Sequence, residues 1–177
     1  MTRQEFADLI ERDGKAVYSF CSHLTGNRDE ADDLYQETML KAMECHERIN
    51  DKLGSPRSFL MGIAAKSWKN RKRMFARRQR IAPREYVESE NFYGELADGE
   101  PSPEEAYISR EMCRLVRMET AKLKDKYRIP VYLYYSVGLT IEEIAVSLGI
   151  PKGTVKSRLH TARTMIGKRM EEHGYEG

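Results

Sequence analysis

The sequence lacks several features that would assign it to common protein classes. No uninterrupted apolar run approaches about 18 residues, so we predict no membrane insertion. The N-terminus carries acids and has no apolar core of signal-peptide length. Only three cysteines occur, at Cys21, Cys45 and Cys113; their odd number and wide separation indicate reduced thiols in a cytoplasmic protein.

The sequence also lacks motifs that are typical of catalytic and metal-binding sites. It contains no phosphate-cradling glycine loop and no plausible pair of a nucleophile and a base. The pairs Cys21/His23 and Cys45/His46 do not have the spacing of a zinc finger. We therefore expect a protein that is not an enzyme and that has no cofactor and no metal.

Charge is distributed unevenly along the chain, although the formal net charge is only +2. From Lys66 to Arg84 there are nine basic residues and no acid, with Trp68 and Phe75 among them. Cations release counterions from phosphates and aromatic rings stack on unpaired bases, so this block favours a nucleic-acid surface. The alternative is a solvated basic helix whose aromatic residues belong to the core.

The charge then reverses between two helical segments. Residues 85–105 hold eight acids and no basic residue, together with glycine and proline. Such a segment cannot bury enough apolar area to fold alone and is predicted to be a flexible linker. We therefore predict an all-α chain with two small helical domains, residues 1–84 and 106–177, joined by the acidic linker 85–105.

Residues 140–165 have the pattern of a helix-turn-helix. Thr140 and Glu143 form a capping box, Gly149 suits the end of the first helix and Pro151 suits the start of the second. The small Ala145 allows the two helices to cross closely. The second helix has an inward apolar stripe and a polar outer face; the stripe is Val155, Leu159, Ala162 and Ile166. A plain amphipathic helical hairpin is the alternative.

The N-terminal part is predicted to be a helical bundle. Capping and apolar spacing indicate one helix from Thr2 to Gly14, a second ending near Gly26, and a third that Asn27 caps; a long helix follows over 57–80. The third helix carries an outward stripe at spacings of three and four residues, formed by Asp33, Gln36, Glu37 and Leu40. This stripe is either a binding surface or an ordinary solvated face.

Three motifs together resemble the bacterial sigma factors of the extracytoplasmic-function (ECF) group. They are Asp33-Leu34-x-Gln36-Glu37 on the third helix, the SFLMGIAAK helix with its basic extension, and GTVKSRLHTAR near the C-terminus. The resemblance implies that sigma region 2 binds core RNA polymerase and melts the minus-10 promoter element, whereas region 4 reads the minus-35 element. It also implies an anti-sigma factor as a further partner.

The resemblance assigns Asp33, Gln36 and Glu37 to the core-binding motif, and the outward stripe, the basic block and the outer face of the helix-turn-helix supply the other candidate residues. Core-polymerase binding falls to Asp33, Gln36, Glu37 and Leu40. The minus-10 DNA contacts expected on the basic helix are Lys66, Trp68, Lys69, Asn70, Arg71 and Arg73. The minus-35 contacts expected on the second helix of the helix-turn-helix are Lys152, Thr154, Lys156, Ser157, Arg158 and Thr161. Lys66 stands where many members have asparagine, Asn70 where aspartate is common, and Thr161 where arginine is usual.

Two other functions remain open from the residues. An autonomous repressor or activator would use the helix-turn-helix on duplex DNA, usually as a dimer on a palindrome. A sigma-like protein could instead bind polymerase or a regulator without reading promoters. For a sigma factor, a flexible linker does not hold the two DNA-facing surfaces at a fixed distance and orientation. We therefore expect the chain alone to bind promoter DNA weakly.

Overall fold

The computed structural model describes residues 2–46, 55–81 and 103–175, and all regular elements within these ranges are helical, as predicted. The helices are α1 (Arg3–Thr25), α2 (Arg28–Cys45), α3 (Pro56–Ile81), α4 (Pro103–Ala121), α5 (Asp125–Val131), α6 (Ile141–Leu148) and α7 (Lys152–Glu172). None of the described helices is long and apolar enough to cross a membrane.

The first helix differs from the prediction of two helices separated at Gly14. A single helix, α1, runs through this glycine, after the predicted capping box of Thr2 and Glu5, and ends at Gly26 with a φ of 67°. Gly14 is buried, and a Cβ atom there would lie 3.0 Å from Tyr35 Oη. The glycine thus permits close packing of α2 on α1 and does not end the helix.

The N-terminal half is a bundle of α1, α2 and α3. Asn27 caps α2 as predicted, because its side chain accepts a hydrogen bond from the Glu30 backbone N–H. Ser55 caps α3 in the same way and accepts from the Ser58 backbone N–H at 3.2 Å. The core between the three helices includes the fully buried side chains Val17, Phe20, Leu24, Leu34, Leu60 and Met61.

The C-terminal half is built from α4 to α7. Helix α4 begins at Pro103, so the last three residues of the predicted linker lie within this helix, while the linker residues 85–102 lie outside the described residues. The support helix predicted over 128–137 is α5, which passes into a π-helical turn at Tyr132–Ser136. The core of the C-terminal half contains Ile129, Leu133, Ile144 and Val155.

The predicted helix-turn-helix is present. Thr140 and Glu143 form the capping box of α6, and Gly149 ends it with a φ of 62°. Pro151 stands immediately before α7 as its N-cap residue. Val155, Leu159 and Ala162 are buried as predicted, whereas Ile166 is half-buried against the core.

The two halves lie in direct contact, with α6 packed on α3. The Ser147 hydroxyl of α6 donates a hydrogen bond to the Ser58 carbonyl oxygen of α3 at 2.7 Å. This docking differs from the expectation that the linker leaves the distance and orientation between the two DNA-facing surfaces undefined. The contacts join residues about ninety positions apart, so the local sequence pattern does not reveal them.

Candidate polymerase and nucleic-acid interfaces

The predicted polymerase-binding stripe lies on the outer face of α2. Asp33 and Gln36 are exposed, and Leu40, with 61% of its surface exposed, is one of the most exposed large apolar side chains in the described residues. Glu37 is half-buried between them. The opposite face of α2 buries Leu34 at the core, so periodicity separates the two faces as predicted.

Glu37 is held in place by two cations. Arg71 Nε of α3 donates to Glu37 Oε2 at 2.7 Å, and Lys41 donates to the other carboxylate oxygen. Arg71 Nη2 also donates to the Asp33 carbonyl oxygen at 3.0 Å. Burial alone would raise the pKa of Glu37, but these two cations outweigh it and hold the pKa below its ordinary value. The carboxylate is thus charged and fixed in orientation.

Arg71 therefore has a role that the sequence did not reveal. It was predicted to contact minus-10 DNA, whereas the structure places its guanidinium against Glu37 and the backbone of α2. The two residues are 34 positions apart, and no local motif joins them. Arg71 links the candidate polymerase surface on α2 to the basic helix α3.

Lys66 and Asn70 line a cleft on α3. The cleft has a volume of about 470 Å³ and lies between α2, α3 and α6. Lys66 is exposed and Asn70 is half-buried. Asn70 Oδ1 also accepts a hydrogen bond from Arg73 Nη2 at 3.0 Å. Val146 and Ser147 of α6 complete the lining, so this predicted minus-10 site includes a wall from the C-terminal half.

Trp68 does not project freely from the basic helix. It is half-buried and packs against the core, and its indole Nε1 is buried without a hydrogen-bond partner. Lys72 Nζ lies 5.7 Å from the centroid of its ring. This placement favours the alternative of a core aromatic for Trp68, whereas Phe75 near the end of α3 is 47% exposed.

The recognition helix α7 presents a polar outer face. Lys152, Lys156 and Ser157 are exposed, while Thr154, Arg158 and Thr161 are half-buried. Lys152 Nζ lies 3.0 Å from Glu142 Oε1 in α6. Lys156 is therefore an accessible cation close to the N-terminal end of α7, where helix-turn-helix proteins reach base edges.

Lys69 and Arg158 bring the two predicted DNA surfaces together. Lys69 is half-buried on α3, and burial lowers its pKa, with the nearby positive charge of Arg158 as the next cause. Two cations that were assigned to separate promoter elements therefore lie close enough for their charges to interact. Sequence reasoning missed this proximity because it depends on how the two halves dock.

The three cysteines differ in burial. Cys21 is buried, and its desolvation raises its thiol pKa to about 12, which suppresses thiolate formation. Cys45 is half-buried and Cys113 is exposed; all three are free thiols. The described ranges contain no group of three or more His, Cys, Asp or Glu side chains placed to hold a metal ion.

Family models match both halves of the chain. A model of sigma-70 region 2 matches residues 9–80, and a model of sigma-70 region 4 matches residues 113–166. The ECF RNA polymerase sigma factor SigW of Bacillus subtilis is 30% identical over 94% of this chain and 89% of its own. The ECF RNA polymerase sigma-E factor of Salmonella typhimurium is 30% identical over 96% and 88%.

Solved structures share the fold. The sigma factor RpoE in complex with the anti-sigma factor NepR from Bartonella quintana superposes with a TM-score of 0.76 at 21% identity, covering 95% of this chain and 98% of that one. CnrH, in complex with the cytosolic domain of CnrY, gives a TM-score of 0.65 at 19% identity over 97% and 90%.

Proposed function

This chain belongs to the ECF group of sigma-70 RNA polymerase sigma factors, and from that premise we propose which of its residues carry each part of promoter recognition. As an ECF sigma factor, it binds core RNA polymerase and directs transcription initiation at promoter DNA. Sigma factors are initiation factors and by family not enzymes, so the polymerase performs the chemistry.

Residues 1–84 act as region 2 and bind polymerase through α2. The observation that carries this assignment is the face of Asp33, Gln36, Glu37 and Leu40, which combines accessible acids with an exposed apolar side chain. Glu37 is already oriented by Lys41 and Arg71, so a basic partner surface meets a preorganised carboxylate.

Helix α3 supplies the minus-10 surface. Its basic residues grip phosphates, and the cleft beside Lys66 and Asn70 accommodates an unstacked base. Lys69 and Arg73 contribute positive charge, Arg71 aligns α3 with α2, and Trp68 supports the helix from beneath. The polymerase and minus-10 surfaces are thereby coupled through one arginine.

Residues 106–177 act as region 4 and read the minus-35 element through α7. Lys156 makes a base contact, since arginine or lysine to guanine is the commonest specific contact in the major groove. The helix is positioned on the DNA backbone by Lys152, Thr154, Ser157, Arg158 and Thr161. The acidic segment 85–105 tethers the two regions, and the chain works in the cytoplasm, where polymerase and promoters are.

An anti-sigma factor is a further partner in this proposal. The two solved sigma factors that share the fold are each bound to another protein, NepR in one case and the cytosolic domain of CnrY in the other. This chain shares their two-region fold and could present a comparable surface to such a protein.

Reconstituted transcription tests the function. Purified chain is mixed with core polymerase and genomic DNA, and the 5′ ends of the transcripts are mapped. We expect initiation at a defined set of sites with a shared sequence upstream, which depends on both the chain and the polymerase. Tight binding of the free chain to a palindromic duplex as a dimer, with no added initiation, would support the autonomous repressor or activator instead.

A further inference from the structure

The cleft between α2, α3 and α6 has a mixed lining that suits a single base. Its volume of about 470 Å³ falls in the range of small-molecule sites. Phe59 and Ile63 of α3 contribute apolar surface to it, and both side chains are half-buried. Apolar walls favour the faces of an unstacked base, whereas polar groups at its edge decide which base is accepted. The choice of base therefore depends on which polar groups of the cleft are free to bind.

Several polar groups of the cleft are already engaged within the chain. Lys41 Nζ donates to Glu37 and to Ser67 Oγ, the latter at 3.0 Å. Ser58 Oγ donates to a backbone carbonyl oxygen at 2.7 Å, and Ser147 Oγ donates to the Ser58 carbonyl oxygen. The donors of these side chains are thus used to hold the helices and are not available to a base.

Lys66 differs from Lys41, although both line the cleft. Its side chain is exposed and makes no hydrogen bond or ion pair with any residue that the structure describes. An ammonium group donates hydrogen bonds and cannot accept them. Lys66 therefore offers donors to a base that enters the cleft.

Arg73 fixes the orientation of the Asn70 amide. Arg73 Nη2 donates to Asn70 Oδ1 at 3.0 Å. Because a guanidinium group has no acceptor, the amide atom that faces it must be the oxygen. The Nδ2 group is left as a donor without a partner in the described ranges. Asn70 lies four positions after Lys66, so the two donors share one face of α3.

The α2 side of the cleft supplies an acceptor. Glu44 lines the cleft, is exposed and has no partner among the described residues. A carboxylate accepts hydrogen bonds and does not donate them. The free groups of the cleft are thus two donors on α3 and one acceptor on α2.

The four bases differ in how well they complement this set. On its pairing edge, cytosine presents two neighbouring acceptors, O2 and N3, followed by the N4 amino donor. Thymine has a donor between its two acceptors, guanine has one acceptor and two donors, and adenine has one donor and one acceptor. Cytosine alone offers two adjacent acceptors to the donors on α3 and one donor to the acceptor on α2.

We propose that this cleft selects cytosine at one position of the separated minus-10 strand. Lys66 and Asn70 donate to O2 and N3, and Glu44 accepts from the N4 amino group. Lys66 and Glu44 are specificity-determining residues in this arrangement, and Arg73 is a positioning residue for the Asn70 amide. The assignment rests on the proposed function of α3 as the minus-10 surface.

The first experiment measures base preference in the complex of the chain with core polymerase. The complex is bound to fluorescent promoter templates whose minus-10 region is already an unpaired bubble, so strand separation costs the same for every base. Each bubble position of the non-template strand carries each of the four bases in turn. We expect one position at which cytosine binds about fivefold to 150-fold more tightly than adenine.

Lys66→Met removes the donor and keeps a side chain of similar length. We expect it to reduce the preference for cytosine at that position to about threefold or less. The matched control is Arg78→Met, which removes one positive charge from an exposed position of α3 outside the lining of the cleft. It should weaken binding to all four bases alike. An unchanged cytosine preference in Lys66→Met would overturn the role of Lys66.

A pyrimidin-2-one base, which is cytosine without its amino group, tests Glu44. Wild type should bind this base about tenfold more weakly than cytosine, because the carboxylate then has no donor. Glu44→Ala should bind the two bases equally, since its side chain can no longer accept a hydrogen bond. If Glu44→Ala discriminates between them as strongly as wild type, Glu44 does not contact the amino group.

The outcomes distinguish this assignment from the proposed function. Failure of the complex to bind any bubble template would contradict both together. Binding with no base preference, or with a preference for another base at every position, would overturn the assignment alone. Circular dichroism checks that Lys66→Met and Glu44→Ala remain folded, which we expect because both positions are exposed.

Discussion

Each half of the molecule holds one glutamate among several cations, and the two sites differ in exposure. In the N-terminal half, 30% of the Glu37 side-chain surface is exposed, and the carboxylate contacts Lys41 and Arg71. In the C-terminal half, the Glu119 side chain is only 3% exposed. Similar charge pairing can therefore offer a carboxylate to a partner in one place and hold helices together in another.

Glu119 joins the start and the end of the C-terminal half. Arg169 Nη1 of α7 donates to Glu119 Oε2 at 3.1 Å and to its carbonyl oxygen at 3.3 Å. Lys122 Nζ and His173 Nε2 lie 2.6 and 3.4 Å from Oε1. The hydrogen bond from Lys122 is the largest cause of a lowered Glu119 pKa, which the hydrogen bonds from His173 and Arg169 reinforce. The nearly buried carboxylate thus makes its contacts within the chain.

Charge reversal on α2 should have the largest effect. We expect Glu37→Lys combined with Asp33→Lys to abolish association with core polymerase in a co-purification assay. Both positions lie off the apolar face, and partly exposed ion pairs contribute at most about 1 kcal/mol, so the chain should stay folded by circular dichroism. Glu11→Lys on α1, which is exposed, is the control. Normal polymerase binding by the double variant would refute the assigned interface.

Glu119→Gln should act on stability instead. It removes the charge from a buried carboxylate that contacts Lys122, Arg169 and His173, and hydrogen bonds to charged groups contribute roughly 1.5–3 kcal/mol each. We expect the free energy of opening from amide hydrogen exchange to fall by about that amount in α4 and α7. The amides of α2 are the internal control, and faster exchange there as well would mean that the effect is not confined to the C-terminal half.

Lys156 and Arg158 extend the comparison to α7, since Lys156 is exposed and Arg158 is half-buried. We expect Lys156→Ala to relax sequence preference at one or two minus-35 positions, by about 1–3 kcal/mol of discrimination. Arg158→Ala should weaken all promoters alike and flatten the salt dependence by about one unit of slope. Transcription from a library of minus-35 variants measures both effects. If Lys156→Ala leaves the sequence preference unchanged, Lys156 does not contact a base.

The pH dependence of the C-terminal half should show the smallest effect. The folded pKa of Glu119 is lowered from an ordinary value of 4.5, so its stabilisation is present above that value and is lost as the pH falls through the lowered pKa. We expect wild type and Glu119→Gln to differ in the free energy of opening of α7 near pH 7 and to converge as the pH falls below 4.5 and through the lowered pKa of Glu119. A constant difference over this range would show that the charge of Glu119 is not responsible.

Local signals explain what could be predicted from the sequence. The capping box of Thr140 and Glu143 and the glycine at position 149 define α6 and its turn through interactions within a few residues. The outward stripe on α2 follows from helical periodicity alone. Gly14 misled the same reasoning, because its small size serves packing against Tyr35 and its backbone stays helical.

Contacts between distant residues account for what could not be predicted. Glu143 was identified as a cap, but its bond to Ser55 depends on how two helices dock. Arg71 was assigned to DNA from composition, although it pairs with Glu37 across two helices. Glu119 has no local motif, because two of its three side-chain partners, Arg169 and His173, lie at least 50 positions away.

A matched pair of neutral substitutions tests most directly whether exposure separates binding charges from structural ones. Glu37→Gln and Glu119→Gln are carried through the same polymerase co-purification and the same hydrogen-exchange experiment. We predict that Glu37→Gln loses polymerase binding with little change in exchange, whereas Glu119→Gln retains binding and exchanges faster in α4 and α7. Wild-type polymerase binding by Glu37→Gln, together with faster exchange in α2 and α3, would contradict the account.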